Sequence, residues 1–108
     1  MLKPSKAVTA GDFEGCARQL DVLAEPTRLA VLEILVAGPR HVQELQAVLG
    51  IEQSRLSHHL RVLRDAGLVE SVIDGKRRLY SASRACTRRG IDLGCCTLHF
   101  ARHERKNI

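Results

Sequence analysis

The chain has 108 residues, 44% of them apolar but only three of them aromatic (Phe13, Tyr80 and Phe100), and carries a formal net charge of +5. That length supports one small domain whose core is mainly Leu, Val and Ala and is completed by dimerisation. No apolar run approaches the roughly 20 residues that span a bilayer, and no apolar leader follows Met1, so the expectation is a soluble, cytoplasmic protein with no membrane partner. In that compartment four cysteines (Cys16, Cys86, Cys95 and Cys96) read as thiols, ligands or redox sensors rather than a disulfide framework.

The charge is unevenly spread. Residues 1–52 hold five Lys/Arg against seven Asp/Glu, whereas residues 53–108 hold twelve against five. A cationic half of this kind is the electrostatic footprint of a polyanion-binding surface.

In chain order, residues 1–11 are small and polar and read as an N-terminal arm. Helix one is expected from about Asp12 to Ala24, because Phe13, Cys16, Ala17, Leu20, Leu23 and Ala24 recur along one face. Cys16 lies inside that stripe and reads there as a small packed hydrophobe. Pro26 suits the first position of helix two, Pro26 to Ala37, which is apolar around most of its circumference and should be the central core helix. Gly38-Pro39 ends it. Helix three, Val42 to Leu49, turns Leu45, Val48 and Leu49 inward and stops at Gly50.

A tight turn at Ile51-Glu52 then leads into helix four, Gln53 to Ala66, so that helices three and four form a helix-turn-helix. Leu56, Leu60 and Leu63 make its buried stripe, and Ser54, Ser57, His58, Arg61 and Asp65 its outer face. Hydroxyl, imidazole and guanidinium groups are the types that reach base edges and phosphate oxygens. His59, about 60° from Leu56 on a helical wheel, should be packed instead. Gly67 closes the helix. Leu68 to Ile73, Asp74-Gly75 and Lys76 to Ser81 read as strand, two-residue turn and strand, a wing tipped by Lys76, Arg77 and Arg78. The expected contacts to duplex DNA are Ser54, Ser57, His58 and Arg61 at bases or phosphates, Gln53 and Arg55 at the backbone near the helix start, and Lys76, Arg77 and Arg78 at phosphates or the minor groove.

The fold class is therefore mainly α with a β component (α+β): a winged helix-turn-helix of four helices and a hairpin over residues 12–81. Residues 82–108 form a cysteine-containing C-terminal segment and tail. Two glycines and the absence of a helical stripe make Ile91 to Phe100 irregular or extended, and the last residues are expected to fray.

Several segments together resemble the ArsR/SmtB-type repressors: Leu23 to Leu35 (LAEPTRLAVLEIL), Glu44-Leu45, Leu49-Gly50, Ser57 to Val69 (SHHLRVLRDAGLV) and Asp74 to Arg77 (DGKR). The resemblance covers about residues 15–81. It implies a homodimeric transcriptional repressor that leaves operator DNA when an inducer binds, with helix one and the C-terminal segment forming the dimer interface. The chain departs from two metal-sensing patterns of that family. Members that sense arsenite through helix three carry a close cysteine pair there, and Val42 to Gln46 (VQELQ) has none. Members that bind zinc between paired C-terminal helices use spaced Asp and His ligands. Asp92, His99 and His103 are candidates by type, but the Gly90 to Gly94 stretch is a poor helix.

Cys95-Cys96 is the segment with most chemical promise. Adjacent thiolates suit As(III), Sb(III) or another thiophilic ion, provided the backbone bends so that both side chains converge, which Gly94 allows. A trigonal metalloid wants a third sulfur, from Cys86 or from Cys16 of either subunit. A redox switch pairing Cys86, which lies among Arg84, Arg88 and Arg89, with Cys95 or Cys96 is the rival reading. A third is an interaction module of the same fold with no inducer. Enzymatic chemistry is not supported, because the chain has no Cys-X-X-Cys, no motif for a Ser/His/Asp arrangement and no glycine-rich phosphate loop.

Overall fold

The computed structural model describes residues 8–101. Residues 1–7 of the expected arm, His103 and the tail beyond Ala101 lie outside the described residues. The chain enters through a 3-10 turn at Ala10–Phe13, where the Asp12 carboxylate accepts the Thr9 backbone N–H at 3.1 Å. Helix α1 then runs Glu14–Leu23, slightly shorter than expected. Of its apolar stripe only Leu23 is buried, and Phe13 and Leu20 are 49% and 43% exposed. The stripe does not close on the rest of this chain.

Helix α2, Pro26–Val36, starts where the Glu25 carboxylate accepts the N–H groups of Thr27 and Arg28 at 3.1 and 3.2 Å. Two orphan donors of the first turn are thereby satisfied. It buries Val31, Leu32 and Leu35, in keeping with its place as the core helix. Helix α3, Val42–Leu49, ends at Gly50 in the left-handed region (φ 65°), and α4 follows at Gln53–Asp65. The N–H groups of Gly67 and Leu68 close α4 by bonding back to the carbonyls of Arg64 and Leu63 at 2.9 Å each, a Schellman motif with Gly67 at φ 76°. Leu68, fully buried, follows that turn into the core.

Two three-stranded antiparallel sheets complete the fold. The wing is β2 (Val69–Asp74) with β3 (Arg77–Ala82), and β1 (Arg40–His41) adds to the far edge of β3 in the order β1-β3-β2. Strand β1 has only two residues, too few to carry an alternation, and was not expected. The hairpin turn also falls one residue later than expected. Asp74 pairs with Arg77, so the two-residue loop is Gly75-Lys76, with glycine at the first central position, where a positive φ is needed (φ 65°).

The C-terminal segment is extended, as its composition implies. Strands β4 (Cys86–Thr87), β5 (Gly90–Asp92) and β6 (Thr97–Leu98) form a meander in that order. It is anchored by side chains that enter the same core as the helices: Ile91 is fully buried and Cys86 nearly so, beside Leu32, Leu45, Leu56, Leu60 and Leu63. At Gly90 a Cβ would collide with the Leu98 backbone carbonyl, so the close approach of β5 to β6 requires glycine there.

Candidate nucleic-acid interface and three-sulfur site

Helix α4 divides as its periodicity dictates. Leu56, Leu60 and Leu63 are buried with His59, while Gln53, Ser54, Arg55, Ser57, His58 and Arg61 are exposed along the opposite side. Gln53 and Ser57 share a cleft with Lys76, Arg77 and Arg78 of the wing and with Val42, Gln43 and Tyr80. The start of α4 and the wing cations thus line one surface. Gln43, in the first turn of α3, is a lining residue that the sequence reading missed. Its position where backbone N–H groups point outward was the available signal.

The wing is fixed by a histidine. His41 caps α3 by donating its backbone N–H to Glu44 Oε1 at 2.9 Å; its ring Nδ1 lies 3.0 Å from the same oxygen and its Nε2 2.8 Å from Asp74 Oδ2. One side chain therefore ties the helix-turn-helix to the outer end of β2. The His41 backbone N–H, and then its ring, hold the Glu44 carboxyl below the usual carboxylate range. Arg78 donates to Ser71 Oγ at 3.3 Å across the hairpin, and Ser54 Oγ donates to Glu52.

A second polar cluster lies behind α4. Arg28 Nε donates to His59 Nδ1 at 3.2 Å and Arg28 Nη1 to the Val22 carbonyl at 3.1 Å, while Glu25 Oε2 stands 3.3 Å from His59 Nδ1. Burial pulls the His59 imidazole below its ordinary value, opposed by the Glu25 charge and reinforced by Arg28. A neutral ring is what accepting the Arg28 N–H requires. Burial pushes the Glu25 carboxyl up, but the Thr27 and Arg28 amides and the neighbouring His59 and Arg28 outweigh it and leave it lowered.

Three of the four cysteines converge on one point. Cys16 of α1 meets Cys95 and Cys96 in the turn between β5 and β6, their three sulfurs lying within 4.8 Å of one another. Cys96 Sγ is 3.8 Å from Cys16 Sγ and 3.7 Å from Cys95 Sγ. Cys16 and Cys95 have their sulfurs at bonding distance and their Cα atoms 6.0 Å apart. The bend that brings the adjacent pair together is built on Gly94 (φ 86°), whose N–H bonds to Asp92 Oδ1 at 2.8 Å, and on a Leu93 N–H to Cys96 carbonyl bond at 2.9 Å. Thiolates about 2.3 Å from an ion stand roughly 3.8 Å apart, the separation that Cys96 keeps from each of the other two; Cys16 and Cys95 are bonded to each other, so all three sulfurs can act as ligands only once that disulfide is reduced.

Cys86 is not part of this cluster. It is buried, its Sγ donates to the Leu68 carbonyl at 3.5 Å, and burial pushes its thiol up rather than toward the thiolate. Arg84, Arg88 and Arg89 are exposed around it and do not offset that burial. Neither the third-ligand role nor the redox role expected for Cys86 fits this environment. Cys16 is half-buried rather than packed in the core, and its sulfur is the one that meets Cys95 and Cys96. Asp92 and His99 lie on the β5–β6 hairpin rather than on a helix. Asp92 is engaged by Gly94, His99 Nδ1 contacts the Arg89 carbonyl, and the only group of three potential ligands among the described residues is the sulfur cluster.

Comparison with known proteins agrees with this architecture. The sequence profile described as "Bacterial regulatory protein, arsR family" matches residues 25–71. The chain is 40% identical over 79 residues to the HTH-type transcriptional regulator NmtR of Mycobacterium tuberculosis, an alignment covering 73% of this chain and 66% of that protein. It is 43% identical over 65 residues to a probable mercury resistance operon repressor of Streptomyces lividans, covering 60% of this chain and 52% of the relative. The chain thus spans between half and two thirds of the length of these curated relatives. The solution structure of Mb0332 from Mycobacterium bovis, described as a homodimeric winged helix-turn-helix DNA-binding domain, superimposes with a TM-score of 0.62 at 30% identity, over 76% of this chain and 75% of that one. No helix among the described residues is long and apolar enough to cross a membrane. With its winged helix-turn-helix and these relatives, the chain belongs to the arsR family of bacterial regulatory proteins.

Proposed function

We propose that this chain is a cytoplasmic, homodimeric repressor that holds operator DNA through α4 and the wing and releases it when a thiophilic ion binds Cys16, Cys95 and Cys96. The inducers that fit best are arsenite and antimonite. The observation that carries the reading is the convergence of three sulfurs from opposite ends of the sequence onto one point. Three soft donors suit a trigonal metalloid or another soft ion far better than a hard oxygen-seeking cation. The mercury-resistance relative supports a soft-ion inducer, and the homodimeric solved structure supports two reader helices acting together.

In this reading a dimer sets two α4 helices into successive major grooves, about 34 Å apart on an inverted repeat. Ser54, Ser57, His58 and Arg61 face the bases and nearby phosphates, Gln53 and Arg55 position the helix start, and Lys76, Arg77 and Arg78 hold phosphate or the minor groove. Ligation draws Cys16 of α1 and the β5–β6 turn into one fixed geometry. Release follows if that geometry is favoured in the DNA-free state.

A duplex selected for binding from a random pool provides the test. Its anisotropy should fall when arsenite or antimonite is added to the complex, and Cys16→Ser, Cys95→Ser and Cys96→Ser should each abolish that response while the protein still binds DNA. If arsenite, antimonite, cadmium and mercuric ion all leave the complex intact, the sensing assignment is wrong.

One observation favours a second reading. Cys16 and Cys95 are joined as a disulfide, so the redox state of this pair, oxidised when a peroxide takes two electrons from the two thiols and restored when a dithiol returns them, decides whether two of the three donors are available. Release by peroxide that is reversed by dithiothreitol, with no response to the ions, would select this reading over the first.

A further inference from the structure

Helix α1 carries one sulfur of the site and is tied to the reader helix at two places. Gln19 Nε2 donates to the carbonyl of Ala66, the residue that caps α4, at 3.1 Å. Three residues further along, the Val22 carbonyl accepts from Arg28, whose Nε bonds to His59 in the middle of α4. Cys16, Gln19 and Val22 fall at i, i+3 and i+6, along one side of a ten-residue helix.

Between these ties the seam is not close-packed. A groove of about 520 Å³ runs between α1 and the end of α4, lined by Gly15, Arg18, Gln19, Val62, Asp65 and Ala66. A seam bridged by a few directed hydrogen bonds over open space can shift as a unit, whereas an interdigitated core resists displacement. Arg28 is suited to the bridge because its planar fork reaches a backbone carbonyl and an imidazole at once, which an ammonium cannot do with the same geometry.

We propose that α1 is the lever that couples the three-sulfur site to the DNA-reading helix, with Gln19 and Arg28 as the positioning residues that transmit its movement to α4. This rests on the proposed inducer reading. Ligation at Cys16 moves α1, and α1 reorients α4 through Ala66 at its end and His59 at its middle. Neither positioning residue touches the inducer or the exposed face of α4.

The full chain, with the Cys16–Cys95 disulfide first reduced, tests this with Gln19→Ala, Arg28→Lys and the double variant. Three quantities are measured: free thiols protected by arsenite, operator Kd without arsenite, and the ratio of operator Kd with and without saturating arsenite. Wild type should show a ratio in the range typical of allosteric coupling, about 5- to 150-fold. The variants should still protect three thiols per chain and bind the operator within about threefold of wild type, while the ratio falls at least twofold in each single variant and to near one in the double. A residue with only a structural role would change the apo Kd and leave the ratio alone. Should Arg28→Lys fail to fold, Gln19→Ala carries the test, since alanine is favourable in a helix. A wild-type ratio above one that persists in the variants overturns the lever and leaves the inducer reading standing. A wild-type ratio of one for arsenite, antimonite, cadmium and mercuric ion overturns both.

Discussion

Removing two wing cations should change how operator binding responds to salt by an amount the structure allows us to work out. In the turn, Asp74 is the cross-strand partner of Arg77, yet its carboxylate is taken by His41 at 2.8 Å. Lys76 and Arg77 are exposed, and neither has a salt-bridge partner among the described residues. Both are therefore available to phosphate. If each neutralises one phosphate in each half of a dimer, the variant Lys76→Ala/Arg77→Ala loses four contacts. At about 0.9 in slope per contact, log K against log salt becomes shallower by roughly 3.6. Between 50 and 200 mM salt the gap between wild type and variant then narrows by roughly 150-fold. Fluorescence anisotropy of a labelled operator over that range measures both slopes. Unchanged slopes would refute the assignment of these two residues to phosphate, even if the variant bound less tightly at one salt concentration.

Arg61→Ala should weaken operator binding by about 1–3 kcal/mol and relax preference at one base position, read by anisotropy against single-base operator variants. Cys86→Ala should leave the arsenite response and the number of protected thiols unchanged, because Cys86 is buried away from the three-sulfur cluster; a lost response would restore it to the site. His59 has its imidazole lowered from 6.5 in the folded chain, so the unfolded chain binds the extra proton first and stability falls as pH drops below about 6.5. Urea unfolding between pH 7.5 and 5.5 should show that loss in wild type and much less of it in His59→Gln. Ile91→Ala should cost about 2–5 kcal/mol by leaving a cavity at a fully buried position, read as a lower urea midpoint at unchanged slope.

The elements that carry strong periodicity or strong punctuation were legible in the sequence. The leucine stripe of α4 and the glycines at 50 and 67 specify the helix-turn-helix, because burial and left-handed caps leave few alternatives for those residues. The outer face of α4 and the wing cations follow from the same periodicity. Strand β1 was not legible, since two residues carry no alternation and Arg40–His41 becomes a strand only because β3 offers it an edge. The hairpin turn moved by one residue because Asp74 serves better as the last paired residue, bonded to His41, than as a turn residue. Helix α1 shows the main weakness of pattern reading. Its apolar stripe signalled a helix correctly, but periodicity cannot say which molecule or which chemistry covers the stripe.

That ambiguity in α1 has a physical resolution within the proposed reading. A helix whose job is to move cannot be locked into the core along its whole length, and here burial is confined to Leu23 at one end. The remainder of the helix offers Cys16 to the C-terminal hairpin, Gln19 to the end of α4 and exposed Leu20, with Phe13 of the preceding turn, to whatever packs outside. Covering Phe13 and Leu20 with a second copy would place the sulfur sites and the reader helices of both chains in one mechanically connected unit. The hairpin side of the site is firm by contrast, because Ile91 and Cys86 sink that segment into the core. Ligation between a firm hairpin and a loosely seated helix would, in that reading, move the helix, and the helix is hydrogen-bonded to the end of α4.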